Sequence, residues 1–91
     1  MESSLSMIKL IADSGDLSRA VEELSRLISI EPENDEAYFM RGKLRWRLGD
    51  RSGATADYAH AAELNPESGA VRALEMARDI EGFFNPDLLN P

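Results

Sequence analysis

Two clusters of chemistry-bearing residues stand out, and only one has enough members for its task. His60, the single histidine, lies three residues after Asp57 and three before Glu63. On a helix that spacing sets an imidazole beside two carboxylates, the beginnings of an acid–base pair or a metal site. A zinc site needs more nitrogen or sulfur ligands, and the chain has no cysteine to add. His60 therefore reads as an ordinary surface side chain. Asp13-Ser14-Gly15-Asp16 is too short for a calcium loop and reads as a turn between helices. No nucleophile motif, phosphate-binding loop or paired-carboxylate constellation accompanies them. The expectation is a non-enzymatic protein with no metal and no cofactor. The second cluster concerns recognition. Lys43 and Arg47 are four residues apart and share a helix face with Phe39 and Trp46. Cations beside large aromatics suit an acidic peptide carrying one or two apolar anchors, because aromatic and arginine side chains dominate binding hot spots.

The elements that must hold these residues are helices. Leu5, Met7, Ile8, Leu10, Ile11 and Ala12 predict a helix over about 5–12, with Gly15 as a left-handed stop. Asp16 is placed to cap a second helix, whose stripe is Leu17, Ala20, Val21, Leu24, Leu27 and Ile28. Pro32 ends it. A third helix is expected over about 35–48, stopped by Gly49, and a fourth over about 51–64, before Asn65-Pro66. A fifth covers about 69–82, with Val71, Leu74, Ala77 and Ile80 as its inner stripe and Gly82 as its end. Loops of two to four residues force consecutive helices to run antiparallel. Ala20, Gly42 and Ala54 are small where a larger side chain would hold neighbouring helices apart.

This plan is written twice. Residues 1–34 laid over 35–68 give nine identities, among them Gly15/Gly49, Asp16/Asp50, Ala20/Ala54 and Pro32/Pro66. Ordinary composition would give roughly two by chance. A fixed period of this size marks stacked helical units, which generally present binding surfaces. The sequence thus predicts an all-α chain with a first unit at about 1–34, a second at about 35–68 and a closing helix at about 69–82.

The spacing resembles the tetratricopeptide repeat family. The second unit carries the likeness best, through Ala37-Tyr38, Gly42, Leu48-Gly49-Asp50, Ala54, Tyr58, Ala61 and Glu63-Leu64-Asn65-Pro66. The first keeps Gly15, Ala20, Leu24, Leu27 and Pro32, but has Ser4 where the family places a large aromatic and Ile8 where it places a small residue. Residues 69–82 look like the extra helix that covers the last repeat in such proteins. The resemblance implies a right-handed superhelix whose first helices line a concave groove holding a peptide or partner helix. It implies groove positions Glu36, Phe39, Met40, Lys43, Trp46 and Arg47 in the second unit. In the first they are Glu2, Leu5, Lys9, Ala12 and Asp13, and the far wall is Ala70, Ala73, Ala77 and Ile80-Glu81. Family members that bind chaperone tails clamp a carboxylate with polar residues; Leu5 and Met40 stand at such positions here, which argues against that role. Arg41 with Asp57 resembles a pairing of bacterial members and implies an ion pair within the second unit.

Charge and composition set the remaining bounds. The 91 residues form one small domain of net charge −7, which argues against nucleic acid or an anionic membrane as the main partner. Yet residues 37–60 hold five bases and two acids, so the acidic chain carries one basic helix. The absence of cysteine suits a reducing cytosol, and neither a signal-like start nor an 18-residue apolar run is present, so a cytoplasmic location is expected. Residues 83–91 contain Phe83, Phe84, Leu88 and Leu89, an apolar content unusual for a solvated tail. This suggests a second reading, self-association through the last helix and tail, although a monomer is favoured over a homodimer.

Overall fold

The computed structural model describes residues 4–83, with side chains up to Ile80. The expectations placed on Glu2, on the side chains of Glu81 and Phe83, and on Phe84, Leu88 and Leu89 fall outside these. Five helices follow one another: α1 (Ser4–Asp13), α2 (Leu17–Ile30), α3 (Asp35–Arg47), α4 (Arg51–Leu64) and α5 (Ala70–Phe83). There is no strand among the described residues. Each helix packs chiefly on the next one in the chain, as expected of a helical solenoid.

The helix boundaries follow local chemistry. Asp16 Oδ1 accepts from the Arg19 N–H at 3.2 Å, Asn34 Oδ1 from the Ala37 N–H at 3.1 Å, and Asp50 Oδ1 from the Gly53 N–H at 3.0 Å. Three helices thereby begin with an amide satisfied that no carbonyl within the helix can reach. Gly15 (φ +100°) and Gly49 (φ +90°) turn the chain out of α1 and α3 in the left-handed conformation that only glycine adopts without strain. α5 begins where expected but does not stop at Gly82. A five-residue connection precedes it, and the helix continues through Gly82 to Phe83. A glycine within a helix costs only about 1 kcal/mol, too little to end one by itself.

The core lies in two parts. Ile8, Ala12, Ala20, Leu24, Leu27, Ala37 and Leu44 join α1, α2 and α3. Tyr38, Ala54, Tyr58, Ala61, Ala70 and Ala77 join α3, α4 and α5. The inner stripe of α5 is thus Ala70 and Ala77, with Val71, Leu74 and Ile80 only half-buried. α3 and α4 come closest at Gly42. A β-carbon there would stand 2.7 Å from Tyr58 Cε1 and 3.2 Å from the Ala54 carbonyl.

Candidate functional site

Along α3, residues recurring at three and four positions fall into three adjoining hollows. Lys9, Ala12 and Asp13 of α1 and Met40, Lys43, Leu44 and Arg47 of α3 line one of about 300 Å³. The three cations expected of a groove are therefore brought together, with Met40 on its wall and Asp13 as its single acid. None of Lys9, Lys43 and Arg47 has a carboxylate within ion-pair distance among the described residues. Toward the start of α3, Met40 and Lys43 also line a second hollow with Phe39, Asp35, Glu36, Asn65, Ser68 and Gly69. Toward its end, Trp46 lines a third with Tyr58, Ala73, Met76, Ala77 and Ile80, about 150 Å³ and mostly apolar.

The aromatics differ in how open they are. Phe39 is half-buried, meets Tyr58 edge-on with ring centres 6.0 Å apart, and lies where a β-carbon on Gly69 would be only 3.0 Å from its ring. Its other face carries the Lys43 ammonium at 4.4 Å from the ring centre, a cation–π contact. Phe39 is thus committed to the junction of α3, α4 and the turn into α5. Trp46 packs on the second core cluster with the Arg51 guanidinium 4.9 Å from its ring centre, and contributes a wall of an open apolar hollow. Leu5 packs on the first core cluster and does not line these hollows. Ala70 is buried away from the expected far wall, while Ala73, Ile80 and the nearly buried Ala77 line the hollow there. Met76 and Arg51 were not singled out from sequence, because their value comes from proximity to Trp46, which no local spacing reveals.

Behind this face a charged network holds α3 to its neighbours. Arg41 donates from Nε to Asp57 Oδ2 at 2.9 Å and from Nη2 to Oδ1 at 2.7 Å, while Arg45 Nη1 reaches Oδ2 at 3.0 Å. Arg41 Nη1 also donates to Ser25 Oγ on α2 at 3.1 Å. The hydrogen bond to Asp57 raises the proton affinity of Arg41 against the opposing effect of burial, so it stays charged. The expected Arg41–Asp57 pair is present, bidentate, and shared with Arg45. His60, one turn after Asp57 on α4, is exposed and stacked on Tyr38 at 4.1 Å between ring centres. Among the described residues no group of three potential ligands could hold a metal ion.

Comparison with known proteins fits this architecture. Residues 10–49 match the profile described as TPR repeat, and residues 35–68 match that described as Tetratricopeptide repeat. The chain belongs to the tetratricopeptide repeat family. It is 38% identical over 58 residues to Tetratricopeptide repeat protein 36 of Danio rerio, covering 64% of this chain and 31% of that protein. The human protein of the same name is 38% identical over 60 residues, covering 66% of this chain and 32% of that one. The chain therefore spans about a third of the length of these vertebrate relatives. The solution NMR structure of Bacteroides fragilis protein BF1650 superposes with a TM-score of 0.82 at 37% identity, covering 99% of this chain and 91% of that one. Repeats of this family are generally protein–protein interaction modules. No helix among the described residues is long and apolar enough to cross a membrane.

Proposed function

We propose that the chain is a non-enzymatic adaptor that holds an acidic protein segment across α1, α3 and α5. The observation that carries this reading is the gathering of Lys9, Lys43 and Arg47 around one hollow beside the apolar hollow of Trp46. Acidic side chains of the partner face the three cations, and one large apolar side chain enters between Trp46, Ala73 and Ile80. Attraction across an open hollow chiefly accelerates and orients association, while burial of the anchor supplies most of the residence time. Phe39, Met40 and Lys43 line the approach and Leu5 supports it from the core. Two considerations favour a bacterial cytoplasmic setting: the cysteine-free composition and the bacterial source of BF1650.

A displayed library of random peptides selected against the full chain tests the proposal. Enriched peptides should pair acids with a large apolar residue and bind a Lys43→Glu/Trp46→Ala double variant more than about tenfold more weakly. Their affinity should also fall with added salt. Peptides that bind wild type and double variant equally would sink this reading.

A further inference from the structure

The apolar hollow of Trp46 is open, and one stretch of this chain starts at its edge. Ala73, Met76, Ala77 and Ile80 give it a wall from α5, facing Trp46 and Tyr58. The hollows along the rest of α3 take nothing from α5. Met76 is 58% exposed and Trp46 is half-buried, so apolar surface here meets solvent unless something covers it. A space of about 150 Å³ with apolar walls takes one group the size of benzene or of a leucine side chain. Directly after α5 comes Phe84-Asn85-Pro86-Asp87-Leu88-Leu89-Asn90-Pro91.

We propose that residues 84–91 fold back along α5 and set Leu88 or Leu89 into this hollow, as a plug carried by the chain itself. Three observations select that occupant. The first is reach. Returning from Phe83 to Met76 along α5 covers about 10 Å, whereas the chain from Phe83 to Leu88 extends up to about 17 Å. Asn85-Pro86-Asp87 supplies a turn signal for the reversal. The second is composition: the segment offers Phe84, Leu88 and Leu89 to an apolar hollow and carries a single charge, Asp87. The third is the sign of that charge. The Arg51 guanidinium lies 4.9 Å from the Trp46 ring centre and has no carboxylate within ion-pair distance among the described residues. Asp87, next to Leu88, brings an acid to it. A tethered segment needs no large interface, because attachment supplies an effective concentration in the millimolar range. The tail's apolar residues are then covered within one molecule, as a monomer requires. Given the adaptor role proposed for this face, plug and partner anchor compete for one hollow, and binding must first displace the tail.

Nuclear Overhauser spectra of the full 10.1 kDa chain test the docking without any partner. A methyl of Leu88 or Leu89 should show contacts to the Trp46 indole or to Ile80, and dilution should not weaken them relative to contacts within the core. Leu88→Asp/Leu89→Asp should erase these contacts with unchanged helical circular dichroism. Because Trp46 is the only tryptophan, its emission should also shift to the red in that variant, and iodide should quench it several-fold more strongly. Wild-type spectra without the contacts overturn the proposal. So do contacts that fade on dilution, which belong to the tail of a second copy. Peptides selected against the full chain should bind the Leu88→Asp/Leu89→Asp variant several-fold more tightly than wild type. Equal binding while the wild-type contacts persist would leave the tail in its hollow and overturn instead the placing of the partner's anchor there.

Discussion

Asp57 is 3% exposed and accepts hydrogen bonds from two guanidinium groups. Its removal leaves Arg41 without a counter-charge and Arg45 with only the more exposed Asp50, at 3.9 Å. Losing one partner of a buried pair typically costs about 3–5 kcal/mol, because the survivor remains desolvated. Asp57→Ala should therefore lower the urea midpoint far more than Glu63→Ala, which removes an exposed charge; equal shifts would show that the network contributes little. Tyr58 supplies a pH dependence at the same scale. Burial, and then the charge of Asp57, raise its phenol above the ordinary value of 10.0. Below about pH 10 it is protonated in folded and unfolded chains alike, and its contribution is complete. Above that the unfolded chain ionises first, so stability is lost as pH rises through the folded-state value. Tyr58→Phe should flatten this alkaline loss in pH-jump denaturation curves.

Among the elements, contact between α3 and α4 depends on the absence of side chains. Gly42→Ala would set a methyl carbon 2.7 Å from the Tyr58 ring and 3.2 Å from the Ala54 carbonyl, so the packed helices would have to shift. Overpacking of this kind costs about 1–3 kcal/mol, enough to lower the melting temperature of a domain this size by several degrees. Ala54→Leu should do the same from the facing helix, since Ala54 is fully buried. An unchanged thermal transition for either would mean that the two helices do not meet there. Gly49→Ala tests a different cause: no atom lies near its absent β-carbon, so a cost of about 1–2 kcal/mol in thermal melts would come from the positive φ alone.

For the whole molecule, two repeats are fewer than such a solenoid ordinarily needs, and α5 supplies the missing cover. Ala70 and Ala77 close the second core cluster over Ala54, Tyr58 and Ala61. Truncation after Gly69 should expose that cluster and replace a cooperative melt with a broad, early one in circular dichroism. A truncated chain that melts like the full one would show that the first four helices suffice.

Residue types and spacing alone determined five helices, their caps, the repeat period and the small residues at the α3–α4 crossing, because these depend on contacts between near neighbours in sequence. Asp16, Gly15, Pro32 and Pro66 act on the backbone next to them. The family resemblance placed Lys9 and Lys43 on one groove and Arg41 near Asp57. Tertiary structure decided what periodicity leaves open, namely which of two similar faces each side chain finds. It buried Ala70, packed Leu5 against the first core cluster, tied Phe39 to Gly69 and Tyr58, and brought Met76 and Arg51 to Trp46. It also left Met7, Leu10 and Ile30 uncovered. An apolar stripe requires that something cover it; only the arrangement of all five helices decides whether the same chain provides that cover.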